Sequence, residues 1–373
     1  MNKLIALFLT LALLASLAGC AGTTVVVGNC TCPPNAHEPA PETTDAPAVD
    51  VPATDAPAVD VPETSGLLTG LAILPKISGS VAATAEENGK ADYDVTVVAV
   101  TVDANGVIAS CVIDSLGTSV AFDATGAAVD FDPEKAVLTK NELGFDYGMV
   151  AYNASPIGKE WFEQAAALAE FAVGKTVDEL KNGAIDESGY AADADLATSA
   201  SINLFSYVYG IEAAVANAKD LGAQTGDVLK MAVNAKMAVT EAEAGGSTAE
   251  LTLDVIALTL TGDVISSGII DSLQAKVAFA ADGSLATDVS VAPLTKNQLG
   301  FDYGMVAYNA SAIGKEWFEQ AEAFCTYITG KTAEEVASIA VTETTAPQAD
   351  TDLAASCSIA IGGFQGLVAK ACK

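Results

Sequence analysis

Past residue 90 the chain alternates short β-branched apolar runs with turn residues, and then changes its period. Residues 94–102 are dominated by Val95, Val97, Val98, Val100 and Val102. Asp103-Ala104-Asn105-Gly106 has turn composition, and residues 107–116 return as a second apolar run, which predicts a β-hairpin. Residues 120–122 and 127–131, around Asp123-Ala124-Thr125-Gly126, predict another. From Ser155 the spacing becomes helical. Ile157, Trp161, Phe162, Ala165, Leu168, Ala169 and Ala172 form a stripe to be buried, with Ser155 as expected N-cap, Pro156 in the first turn and Gly174 as the stop. Thr176-Val177-Asp178-Glu179 is a capping box that opens a short helix, and a last helix is expected to follow Ser201.

This whole succession occurs twice. Residues 139–164 reappear as 295–320, with Glu142/Gln298 and Pro156/Ala312 as the exchanges in that window. Upstream, Val107-Ile108 and Ile113-Asp114-Ser115-Leu116 answer Val264-Ile265 and Ile270-Asp271-Ser272-Leu273. Downstream, Thr332-Ala333-Glu334-Glu335 repeats the capping box, and a final helix is expected after Ser358. A period this long marks a duplicated domain rather than a solenoid. Strands followed by helices predict an α+β fold. The expected organisation is two tandem domains, 76–226 and 229–373, each an antiparallel sheet packed with helices, behind a disordered Pro/Ala/Asp-rich tether over 20–75.

The amino-terminal segment reads as an address. Lys3, an apolar run over 4–17 and the small residues Ala18 and Gly19 have the form of a signal segment, residues 1–19, too short to be a membrane span. Leu17-Ala18-Gly19-Cys20 resembles the lipobox of bacterial lipoproteins. That resemblance implies cleavage before Cys20, a diacylglycerol thioether on its sulfur, and a location on the extracytoplasmic face of the cell membrane. Behind it, Thr44-Asp45-Ala46-Pro47-Ala48-Val49-Asp50-Val51-Pro52 recurs over 54–62, a proline-dense acidic composition that favours an extended stalk.

Composition narrows the chemistry. The 373 residues carry a net charge of −31, all 17 basic residues are lysine, and the single histidine, His37, falls in the proline-rich stretch. Histidine triads, histidine-rich zinc sites and arginine clamps are therefore excluded, and nucleic acid is not an expected partner. Of seven cysteines, Cys20 is assigned to lipidation, and Cys30 and Cys32 are too close to bond without strain. Cys111, Cys325, Cys357 and Cys372 allow three pairings or free buried thiols.

Two groups of residues carry candidate chemistry. Asp195, Thr198, Ser199 and Ser201 lie before the last helix of the first repeat, and Asp352, Ser356 and Ser358 before that of the second. Free N–H groups at a helix start, with hydroxyls beside them, suit a phosphate; simple N-capping uses the same residues. The second group is the duplicated block Phe145-Asp146-Tyr147-Gly148-Met149 with Tyr152, and Phe301-Asp302-Tyr303-Gly304-Met305 with Tyr308. Tyr147 and Tyr303 could stack on a planar ring, while the same aromatics could simply fill a core. Trp161 and Trp317 are expected in the core, Glu160 and Glu163 in solvent, and no nucleophile–base arrangement is legible.

The Asp195 to Ser201 segment resembles the Asp-x-x-Ser-Gly-Ala-Thr motif of the FMN-binding domain family of exported bacterial redox proteins. Asp195 matches the motif aspartate, Thr198 its serine, Ala200 its alanine and Ser201 the acceptor threonine; Asp352 and Ser358 match the two ends in the second repeat. Ser199 and Ser356 stand where the family has glycine, Cys357 where it has alanine, and serine stands at both acceptor positions, departures that fall on the residues responsible for covalent attachment. The resemblance implies FMN bound in each repeat, electron transfer outside the membrane, and a membrane reductase and flavin transferase as partners. The residues by themselves equally describe a cofactor-free surface module that binds a small ligand or a partner protein.

Overall fold

The computed structural model describes residues 66–243 and 245–373. The signal segment 1–19, Cys20, Cys30, Cys32, His37 and the repeated proline-rich stretch lie outside the described residues. The first repeat comprises β1 (Gly66–Lys76), β2 (Gly89–Val102), β3 (Ile108–Phe122), β4 (Ala128–Val129), α1 (Lys140–Leu143), α2 (Trp161–Ala172), α3 (Val177–Gly183), α4 (Ala194–Ala197) and α5 (Phe205–Ala216). After β5 (Lys219–Gln224) the second repeat comprises β6 (Val228–Glu241), β7 (Ser247–Thr261), β8 (Val264–Phe279), α6 (Lys296–Leu299), α7 (Trp317–Ile328), α8 (Ala333–Ala337) and α9 (Gly362–Ala371). Tight 3-10 turns, Gly144–Tyr147 and Gly300–Tyr303, follow α1 and α6.

The fold is α+β, with two antiparallel sheets in the orders β4-β3-β2-β1-β5 and β6-β7-β8. The hairpin expected over 94–116 is β2 and β3, and the small one around Asp123 is β3 and β4. β2 pairs with β3 so that Val97 faces Asp114, and β7 pairs with β8 so that Val255 faces Asp271. Each hairpin has its irregularity at the same place, Thr101/Val102 and Thr259/Leu260. The register therefore equates Val97 with Val255 and Asp114 with Asp271.

Side chains alternate across each strand, and both faces of each sheet are covered. Tyr93, Val95, Val97 and Ala99 meet Leu251, Leu253, Val255 and Ala257 in one core between the sheets. On the opposite faces, Val98 and Val100 pack with α2 and α5 residues such as Leu168 and Ile211, and Ile256 and Leu258 pack with α7 and α9 residues such as Phe324 and Leu367. The result is a helix–sheet–sheet–helix sandwich. Contacts between the sheets are reciprocal: β1 meets β8 where β6 meets β3, and β2 meets β6 where β7 meets β1. An approximate twofold thus relates the repeats.

Three expectations need correction. The tether was expected to reach residue 75, but β1 begins at Gly66 and pairs with β2 from Leu68 to Lys76. Leu71 and Ile73 enter the inter-sheet core while Ala72 faces the helices. A strand buried on both faces shows no alternation, so this segment reads as more apolar linker. Second, 76–226 and 229–373 are not self-contained domains, because the described residues form one compact unit around the shared core. Third, Ser155 does not cap α2. Gly158, at φ +67, interrupts the chain; Glu160 is extended and occupies the N-cap, its N–H donating to Glu163 Oε2 at 2.8 Å.

Candidate functional site

The duplicated block is held by a buried carboxylate. Glu160, 3% exposed, accepts the N–H of Met149 on Oε2 at 2.8 Å and that of Val150 on Oε1 at 3.0 Å. Glu316 does the same for Met305 and Val306, at 2.8 and 3.0 Å. The expectation that Glu160 is solvated is thus overturned: two N–H groups of an irregular loop need an acceptor, and a side chain at a helix start supplies it.

A second buried carboxylate places the lysines. Asp114 Oδ1 accepts from Ser115 at 2.8 Å and from the Asn141 N–H at 3.2 Å, while Asn141 Nδ2 donates to Ile113 O at 2.9 Å. This ties α1 to β3, and Asp271 and Asn297 tie α6 to β8 in the same way. Burial pushes the Asp114 carboxyl up to about 6 against the lowering effect of Thr139 and these N–H groups, and burial raises Asp271 too. Lys140, fixed by α1, lies with Nζ 5.1 Å from the Trp161 ring and 5.4 Å from Tyr147. Lys296 lies 4.8 Å from Trp317 and 5.1 Å from Tyr303. Burial draws the Lys296 ammonium below its ordinary value, partly offset by Asp254 and Asp271. Ammonium over an aromatic face is attracted by the ring quadrupole.

The hydroxyl-rich segments do not lie at helix starts. α5 and α9 begin at Phe205 and Gly362, four residues beyond Ser201 and Ser358. The N–H groups of Ser201 and Ile202, with the Ser201 hydroxyl, all donate to Gln164 Oε1, at 2.7, 3.1 and 3.1 Å. Gln164 is fully buried, and its Nε2 donates to Lys159 O at 2.9 Å and Ser155 Oγ at 3.3 Å. Gln320 makes the same set with Ser358 and Ile359. The donors that would cradle a phosphate are spent on a carboxamide. Asp195 is exposed in the four-residue α4, capped by Asp193, and Thr198 donates to Asp195 O at 2.8 Å. Ser199 is half-buried; Asp352 is exposed in a 3-10 turn, and Ser356 donates to Leu353 O.

Asp195, Thr198, Ser199 and Ser201 do not meet the aromatic block of the first repeat in one cavity, but residues just beyond Ser201 do. Tyr147, Met149 and Tyr152 border a cavity of about 550 Å³ together with Trp161, Ile202, Asn203, Ser206 and Tyr207. Lys76, Lys140 and Asp94 line the same space. Trp161 Nε1 donates to the Tyr207 hydroxyl at 2.9 Å, which fixes both rings. In the second repeat the positions of Asn203, Ser206 and Tyr207 hold Ala360, Gly363 and Phe364. Tyr303, half-buried, donates instead to Gln274 Oε1 at 3.1 Å.

Lys140, Tyr207, Gln164 and Glu160 were not among the expected site residues. The signal that could have found Glu160 and Gln164 was their recurrence, four apart, as Glu316 and Gln320 in the duplicated window. Cys111, Cys325, Cys357 and Cys372 are free thiols, and no described helix is long and apolar enough to cross a membrane. Comparison with protein-family models, with curated proteins and with solved structures finds no match.

Proposed function

We propose that this protein is a lipid-anchored, extracytoplasmic FMN-binding protein that relays electrons outside the membrane, with the first repeat as the seat of the cofactor. The observation that carries this reading is the convergence of Tyr147, Tyr152, Trp161 and Tyr207 with Asn203, Ser206 and two lysines on one cavity. Its volume falls among small-molecule sites, roughly 300–1,000 Å³. The aromatic faces suit an isoalloxazine ring, Asn203 and Ser206 its pyrimidine edge, and Lys76 and Lys140 a phosphate in an otherwise acidic protein. Bound flavin supplies the redox chemistry, and the chain's residues bind and orient it.

Attachment is non-covalent in this reading. The residues present fit the ring and the charge of FMN and do not fit a phosphoester at Ser201 or Ser358, whose hydroxyls and N–H groups are engaged by Gln164 and Gln320. Cys20 as the anchor and the proline-rich stalk would hold the cavity near a membrane reductase; a flavin transferase is then not required.

A second reading, a cofactor-free surface module for another small ligand, is favoured by that same engagement, since it fills in both repeats the donors that the FMN family motif uses. Flavin fluorescence decides between them. Titration of the full-length protein into FMN is expected to quench emission saturably at one equivalent per chain. Absence of quenching overturns the flavin reading and leaves the second.

A further inference from the structure

The approximate twofold makes two equivalent grooves where the repeats meet, and they differ at the positions of Lys370, Glu142 and Asn234, the last held by Leu74 in the other groove. In one groove Lys370 of α9 crosses to β6 and α1: its ammonium donates to Val233 O and Asn234 Oδ1 and pairs with Glu142 Oε1 at 2.6 Å. In the other groove Ala213 of α5 holds the position of Lys370, and Gln298 that of Glu142. Ile73 holds that of Val233, because Ile73 pairs with Val97 as Val233 pairs with Val255. What the lysine fills on one side is an open cavity of about 390 Å³ on the other, bordered by Leu71 to Leu74, Ala213, Asp271 and Gln298.

We propose that this cavity binds a small primary alkylammonium, which takes the place that the Lys370 side chain takes in the equivalent groove. The walls match the demand. Leu71, Ile73, Ala213 and Ile269 offer apolar surface for three or four methylenes, as a buried lysine stem requires. Ile73 lies on the part of β1 that β5 does not cover, since their pairing spans Gly66 to Thr69, so its backbone edge is available as that of Val233 is. Asp271 is the one carboxylate among the lining residues, and it is already oriented by Ser272 and Asn297. The one lining cation, Lys219, is exposed and therefore screened by solvent. This site is separate from the aromatic cavity of the first repeat and does not depend on the flavin reading.

The probe is n-butylammonium, a lysine side chain without its backbone, with n-butanol as the neutral control of equal length. Binding to the full-length protein is read by saturation-transfer NMR. The wild type is expected to bind one equivalent saturably, with n-butanol at least about tenfold weaker, a difference of about 1.4 kcal/mol. Ala213→Lys, which copies Lys370 into the open groove, is expected to abolish binding with the fold retained. Gln298→Glu, on the solvent side of a short helix, restores the carboxylate of Glu142 and is expected to tighten n-butylammonium at least fivefold, leaving n-butanol unchanged. No saturable binding by the wild type, equal binding of n-butanol, or unchanged affinity in folded Ala213→Lys or in Gln298→Glu would overturn the proposal.

Discussion

Phe122 of the first repeat stacks on Phe279, its own counterpart in the second, with ring centroids 4.2 Å apart and planes 17° from parallel. Each ring ends its strand hairpin and each is buried, so the contact lies where the twofold brings equivalent residues together. Tyr93, whose hydroxyl donates to Ala249 O at 2.9 Å across the same interface, adds a directional bond to it. The duplication therefore folds by burying one copy against the other.

Phe122→Ala is expected to destabilise the whole chain by about 3–5 kcal/mol, the cost of emptying a buried aromatic site. Denaturant unfolding of both wild type and variant should show a single transition, since neither sheet has an inner face without its partner. Separate transitions for the two repeats would contradict the shared core.

Gln164→Met retains the side-chain length and removes the carboxamide. The Ser201 and Ile202 N–H groups then lose their acceptor, and Lys159 O loses a donor. A loss of about 2–4 kcal/mol is expected from unpaired buried groups. Hydrogen exchange at the Ser201 and Ile202 amides, measured by NMR, should accelerate more than exchange in β2.

The buried Asp114 gives a pH dependence of known sign. Its folded value is raised from 3.8 to about 6, so the native state holds a proton that the unfolded chain has released in this window. Stability contributed by this group is present below pH 4 and lost as pH rises through 6, by about 2 kcal/mol between pH 4 and 7. Urea unfolding across that range should show wild type losing this amount relative to Asp114→Asn, in which no charge is buried.

In the aromatic cavity, Lys140→Met is expected to weaken FMN about tenfold while leaving riboflavin nearly unchanged, because the lysine answers the phosphate and not the ring. Fluorescence titration with both ligands measures it. Equal loss for both would place Lys140 under the ring instead.

Building the missing polar groups into the second repeat, with Ala360→Asn, Gly363→Ser and Phe364→Tyr together, is expected to raise flavin stoichiometry from one to two. A Cβ at Gly363 meets nothing within 4 Å, so the added side chain is accommodated. Equilibrium dialysis gives the count.

Local pattern alone determined much of this protein. The hairpins, the capping boxes at Thr176 and Thr332, the helical stripe containing Trp161 and Leu168, and the duplication were legible because each depends on neighbours a few residues away or on direct repetition. β1 was not, because burial on both faces erases the alternation that marks a strand. The start of α2 was misread because Ser155, Pro156 and the true cap Glu160 compete within one turn-rich stretch, and the left-handed Gly158 decides between them. Everything that depends on long-range pairing was left to the tertiary structure. Glu160 reaches a loop ten residues back, Gln164 takes the N–H groups of a segment 37 residues on, and Tyr207 meets Trp161 across 46 residues. Sequence placed the two candidate groups; folding brought the aromatic block of the first repeat to one cavity with Ile202, Asn203, Ser206 and Tyr207 and left Asp195, Thr198, Ser199 and Ser201 outside its lining. Above all, two similar sequences could signal two domains, but only the packing of Phe122 on Phe279 makes them one, because an apolar sheet face must be buried and the nearest matching face is its copy.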